Sequence, residues 1–210
     1  GISLANLGTD FTLLGNEAII ASGKGRAYGV EFFAQKKLTK NFFGILSYTF
    51  YRSLYSGSNG KYVASSWDNQ HLLSITCGYK FPRNWELGLK FRYQGGAPFT
   101  PFDETQSRLN YLSQGVGTLN YQQLNSNRLT GFNSSDLRID KKWNLRKITI
   151  DVFLDVTNWY VAKNPAIPEY TFKRNAANTV FETTDGLPVK PDGSNAIPTR
   201  VKNDDAFVTP

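Results

Sequence analysis

Charged side chains recur at every second position in parts of this sequence: Lys90 and Arg92, then Asp136, Arg138, Asp140 and Lys142, with Asp151 and Asp155 further on and Glu31 nearer the start. In extended chain, that spacing puts each group on one face. Burying such a row in a dry core would be expensive, so the chemistry it fits is ionic pairing, or contact with a solute, in a wet polar interior. Mixed signs on neighbouring strands favour pairing over a solute path. No comparable set exists for acid–base, nucleophilic or metal chemistry. His71 is the only histidine and has no further ligands at useful spacing, so it reads as a strand-entry residue at an interface. The one cysteine, Cys77, falls between Ile75 and Tyr79 on an apolar face, as a small packed or lipid-facing residue that cannot form an internal disulfide. Asp103-Glu104 and Asp204-Asp205 lack oxygen ligands at defined offsets and read as solvated loop charges. No nucleophile elbow, phosphate loop or paired-cysteine motif occurs. The expectation is no enzyme, no metal and no cofactor.

Strands must position those charges. From Ile148 to Thr157, Ile148, Ile150, Val152, Leu154 and Val156 alternate with Thr149, Asp151, Phe153, Asp155 and Thr157, a period of two with Val152 near the middle of the apolar row. From Trp85 to Gln94 the apolar row is Trp85, Leu87, Leu89, Phe91 and Tyr93, with amphipathic rings at both ends. About ten residues of this kind, tilted, suffice to cross a bilayer, and rings at both ends suit the headgroup levels. Tyr28 to Lys37, Phe42 to Arg52, His71 to Phe81 and Ser135 to Leu145 are further predicted strands. In the last of these Lys141 interrupts the apolar face, which is tolerable where its stem snorkels to an interface.

Connections alternate between short and long. Leu38 to Asn41, Pro82 to Asn84 and Arg146-Lys147 are tight turns, whereas Ser53 to Gln70, Gly95 to Ser134 and Tyr160 to Asp205 are long segments rich in Gly, Ser, Asn, Pro and Thr. Outer-membrane barrels keep short turns on one side and long loops on the other. The fold class is therefore all-β, an antiparallel transmembrane β-barrel segment of about six strands in three hairpins. An open sheet in lipid would leave unpaired edges, so the segment should belong to a larger barrel. Residues 1–24 read as a further outer loop and Ala206 to Pro210 as the start of another strand. The absence of any Met fits an internal or processed piece. A hydrophobic content of 40% is low for a packed core, and no apolar run is long enough for a transmembrane helix. The net charge of +7 is spread among acidic residues and accompanies no reading motif, which argues against nucleic acid as a partner.

Particular strings add to the pattern. Gly25-Arg26-Ala27-Tyr28-Gly29-Val30-Glu31, Leu46-Ser47-Tyr48-Thr49-Phe50, Trp67-Asp68-Asn69-Gln70-His71-Leu72-Leu73-Ser74, Gly95-Gly96-Ala97-Pro98-Phe99-Thr100-Pro101-Phe102-Asp103, and Asp136 to Lys141 with Leu154 to Asn158 resemble, in order and spacing, the late barrel strands of TonB-dependent outer-membrane receptors of the Bacteroidetes type. The resemblance covers most of residues 25–160. It implies the C-terminal part of a barrel of about 22 strands, plugged by an N-terminal domain and located in the bacterial outer membrane. Such a barrel imports a scarce solute with energy from the TonB complex acting through the plug. Neither plug nor last strand is present in this sequence. Partners implied are outer-membrane lipid, the plug and remaining strands, a surface lipoprotein, and a small-molecule, oligosaccharide or peptide solute. The charged row would then contact the plug or line the solute's path, and Phe99, Phe102, Tyr111 and Tyr121 would meet the solute from the loops. A passive porin or structural barrel shares the same strand physics, and a soluble β-sandwich binding module would need a second sheet over the apolar face.

Overall fold

The computed structural model describes residues 20–164 and 166–201. Its main body is one antiparallel, 7-stranded sheet. The strands are β1 (Lys24–Thr39), β2 (Phe42–Ser56), β3 (Tyr62–Ala64), β4 (His71–Phe81), β5 (Trp85–Gln94), β8 (Phe132–Asn144) and β9 (Thr149–Val156). The order β1-β2-β4-β5-β8-β9 follows the chain as a meander, and β3 pairs with the Leu54–Ser56 end of β2. Two small ribbons lie off the sheet, β6 (Pro98–Phe99) with β7 (Asn127–Arg128) and β10 (Glu169–Phe172) with β11 (Pro198–Val201). One helix, α1 (Glu104–Gln114), is the longest among the described residues, and no described helix is long and apolar enough to cross a membrane.

Two predicted strands, His71–Phe81 and Trp85–Gln94, coincide with the observed β4 and β5. Others run further than expected: β1 starts at Lys24 and β2 ends at Ser56. Gly25, Arg26, Ala27, Ser53 and Ser56 carry no apolar alternation, and pairing alone extends the ladder there, with Lys24 opposite Ser56 and Ser56 opposite Tyr62. The tight turns fall where expected. Lys40 and Asn41 both have positive φ, the geometry that matches a two-residue turn to strand twist, and the second turn is a three-residue 3-10 turn, Pro82–Asn84, in which Arg83 and Asn84 also have positive φ. The third turn closes with Leu145 N–H donating to the Ile148 carbonyl at 2.8 Å.

Register fixes the faces. Phe32, Tyr48, Leu73, Tyr93 and Asn133 form one cross-strand row; Phe42, Tyr79, Leu87, Ile139 and Leu154 form another. The apolar sets of all the strands therefore share one face, and none of the described residues packs over it: Val30 is 68% exposed and Leu154 61%. Successive turns are also staggered. Phe42, just past the first turn, pairs with Tyr79, but β4 runs on to Phe81; Trp85, just past the second, pairs with Lys141, but β8 runs on to Asn144.

The long segments differ from the expectation of plain loops. The 95–134 segment holds α1, capped at one end by the Asp103 carboxylate accepting from Gln106 N–H (2.9 Å) and at the other by Gly115 at φ 71°. The 160–205 segment holds β10 and β11. Together they make the buried hydrophobic cluster of the described residues, Tyr170, Phe172 and Ala196, flanked by Phe102, Tyr111, Phe181 and Val189. Aromatic edges, spaced among small and polar residues, build this core without a periodic signal; Tyr111 meets Phe172 edge-on at 4.9 Å. The expected outer loop at 1–24 lies mostly outside the described residues, as does the expected strand start at 206–210 and the Asp204-Asp205 pair.

Candidate functional site

Every residue of the alternating charged row, Glu31, Lys90, Arg92, Asp136, Arg138, Asp140, Lys142, Asp151 and Asp155, lies on the face opposite the apolar one. Register pairs Lys90 with Asp136, Arg92 with Ser134, Arg138 with Asp155 and Lys142 with Asp151, while Glu31 stands opposite Thr49. Most of these side chains pair with one another. Arg92 reaches Asp136 at 3.6 Å, Arg138 reaches Asp140 at 2.9 Å and Asp155 at 3.7 Å, and Lys142 reaches Asp151 at 3.3 Å. The Arg138 guanidinium also lies 4.0 Å from the Phe153 ring centre. Lys80 joins Glu86 at 3.8 Å on the same face. Glu31 accepts from the Thr49 hydroxyl at 3.4 Å, and Lys90 makes no ion pair among the described residues. Lys90, Glu86, Asp136, Arg138, Asp140 and Asp155 line an open groove of about 440 Å³. These pairs are largely solvated, so they act as a polar lining whose signs are locally balanced, each contributing little stability.

Asp136 also serves the strand exit, its carboxylate accepting from Asn158 N–H at 3.1 Å. Next to it, burial and then the Asp136 charge push the Tyr160 hydroxyl above its ordinary range.

The apolar face has rings near both rims. Phe42, Phe81, Trp85 and Trp143 stand beside the turns, and Tyr28, Phe50 and Tyr93 toward the loop end. Lys141 lies over Trp85 (5.2 Å) and Trp143 (5.5 Å), with its ammonium bonded to the Arg83 carbonyl in the second turn. Val152 pairs with Lys141, so it lies nearer the turn rim than the sequence suggested, and Leu154 is the more central residue. His71 stands at the loop end of β4, its Nδ1 2.9 Å from the Tyr48 hydroxyl and its ring beside Phe50. Cys77 is half-buried on the apolar face between Gly44 and Leu89.

At the loop end the structure brings together residues that strand periodicity could not single out. The Asp68 carboxylate is fully buried; it accepts from Ser53 N–H (2.6 Å), Arg52 Nε (3.2 Å) and Arg128 Nη2 (2.5 Å). Arg128 also donates to the Asp68 and Gly96 carbonyls. Asn69 donates to the Gly95 carbonyl (2.9 Å), and the Tyr51 hydroxyl to the Trp67 carbonyl (2.6 Å). Trp67-Asp68-Asn69 therefore ties the feet of two long segments together. The third is tied by Asn164, which exchanges side-chain hydrogen bonds with the Asn133 backbone at 2.8 and 3.0 Å.

The loop aromatics have unequal placements. Phe102 and Tyr111 are packed in the loop core, with the Tyr111 hydroxyl 2.8 Å from Thr171 Oγ1. Phe99 sits in β6, paired with Asn127. Tyr121 is exposed on a short 3-10 turn. Among the described residues no group of three His, Cys, Asp or Glu is arranged to hold a metal ion. Comparison of the chain with protein-family models, with curated proteins and with solved structures finds no match.

Proposed function

We propose that the chain is part of a transmembrane β-barrel in the bacterial outer membrane, the C-terminal portion of a TonB-dependent active transporter. The observation that carries the barrel reading is a staggered antiparallel meander with one uncovered, ring-bordered apolar face and one charged face. Lipid satisfies the first face and a wet lumen the second, and the steady displacement of the turns is the stagger that closing a sheet into a barrel requires. The free edges of β1 and β9 call for further strands of the same barrel, because unpaired backbone is not tolerated in hydrocarbon. Transport, TonB coupling, a plug and a surface lipoprotein rest on the five family-like strings. Paired charges facing inward suit contact with a polar plug, and the tied loops suit a rim that meets the solute first.

Conductance of the full-length protein in planar bilayers tests this reading. A plugged transporter should show no steady current until a denaturant loosens the plug. Steady ohmic current without denaturant would instead make it a passive porin. Recovery in the aqueous fraction without detergent would refute the barrel itself and favour a soluble sandwich module.

A further inference from the structure

Charge beside the turns is of one sign. The turns and their flanks read Lys36-Lys37-Leu38-Thr39-Lys40-Asn41, Arg83-Asn84-Trp85 and Lys141-Lys142-Trp143-Asn144-Leu145-Arg146-Lys147, and the acids next to them, Glu86 and Asp140, are on the charged face, paired with Lys80 and Arg138. On the charged face Lys80 and Lys142 find carboxylates in Glu86 and Asp151, although Lys90 has no ion pair among the described residues. At the loop end Arg52, Arg128 and Lys173 are likewise paired, the first two with Asp68 and the third with Glu182. Lys36, Lys37, Lys40, Arg83, Arg146 and Lys147, gathered at the turns, are exposed and form no ion pair among the described residues.

A second observation puts this charge at a particular depth. Lys36 lies on the apolar face opposite Gly44, and Lys141 lies on it between Trp85 and Trp143, its ammonium drawn toward the turn. Phe42, Phe81, Trp85 and Trp143 supply rings at the same level. Rings and snorkelling cations together mark the headgroup region of a bilayer, where unpaired cations meet lipid phosphates.

Resting on the barrel reading above, we infer that the turn end is a basic rim that selects anionic phospholipid headgroups in the leaflet it faces. Each exposed cation brought near an anionic surface strengthens binding about fivefold. The attraction falls with ionic strength, since these charges are open to solvent.

Tryptophan quenching reads the lipid shell directly. The full-length protein, carrying W67F and W159F so that the Trp signal of this region comes from Trp85 and Trp143, is reconstituted in phosphatidylcholine bilayers. Brominated phosphatidylglycerol or brominated phosphatidylcholine is then titrated in. Quenching should favour phosphatidylglycerol several-fold at low salt, the preference should shrink at high salt, and K36Q/K37Q/R146Q/K147Q should bring it close to one. The arginine-for-lysine variant K36R/K37R/K147R should keep it. Equal quenching by the two lipids, or a preference unmoved in the glutamine variant, would overturn the inference while leaving the barrel intact. Failure of the protein to float with vesicles would overturn both.

Discussion

Neutralising the buried acid at the loop end is the sharpest perturbation the fold offers. Asp68→Asn keeps the volume but removes a charge that accepts from Ser53 N–H and two guanidinium groups. The Asn amide would also point a donor at a donor. Losing one partner of a fully buried ion pair costs about 3 to 5 kcal/mol. The two arginines retain about a third of their side-chain surface in solvent and can rehydrate in part, which lowers the expected cost to about 3 kcal/mol. If the node opens locally rather than with the whole sheet, that cost shows up as faster exchange, roughly a hundredfold. Hydrogen–deuterium exchange of the full-length protein in nanodiscs reads it at the amides of Leu129, bonded to the Ala97 carbonyl, and Gly95, bonded to the His71 carbonyl. Amides within β5 should not change. Exchange at Leu129 within about twofold of wild type would refute the claim that this node holds the loops, because so small a change corresponds to under about 0.5 kcal/mol. Equal acceleration in β5 would mean that the node supports the sheet as a whole.

Other perturbations test the faces and the loops. Leu154→Arg places a cation centrally on the apolar face at about 2 to 4 kcal/mol if that face meets lipid, whereas Asp151→Asn should be mild; equal yields of folded barrel on heat-modifiable gels would mean that the faces are misassigned. Gly78→Val should cost about 1 to 3 kcal/mol, because its side chain would overlap the Phe43 ring, and Phe43→Ala should relieve part of that cost. Urea midpoints of the single and double variants measure the coupling, and strict additivity would remove the proposed contact. Asp185 is held below the ordinary carboxylate range, first by Leu187 N–H and then by the Asn195 amide. Its contribution is therefore present above the unfolded-state value and is lost as pH falls through the lower folded value. Proteolysis of the 175–195 segment should accelerate on acidification in wild type and less steeply in Asp185→Asn, where Asp192, held below the ordinary range by Ser194 N–H, still titrates; parallel pH profiles would discard the role.

Strand positions, faces and turns were legible because each leaves a local trace: alternation in β4 and β5, and Asn or Lys at positive φ in the turns. The ends of β1 and β2 left none, since Gly25, Arg26 and Ser53 join the ladder through backbone bonds alone. Helix α1 was missed for a related reason. It turns Ser107 and Tyr111 inward while Leu109 and Leu112 stay exposed, so no apolar stripe marks it, although Asp103 before it and Gly115 after it are cap signals. Asp68 was visible only as a letter in a family-like string. Its burial depends on Arg128, 60 residues further on, and no period in the sequence connects the two.

Gly95 and Gly96 sit where two backbones nearly touch: an added Cβ would strike the Asn69 carbonyl at the first and the Leu129 carbonyl at the second. The tips beyond are open, and a Cβ at Gly60 or Gly186 would meet nothing within 4 Å. The loop end therefore combines fixed footings with free crowns. Sequence drift, and any inserted foreign segment, should accumulate at residues 57–59, whereas Gly60 and Gly186 hold positive φ and Asp185 braces the turn to Leu187. The footings, which set where each crown stands, leave no room even for a methyl group.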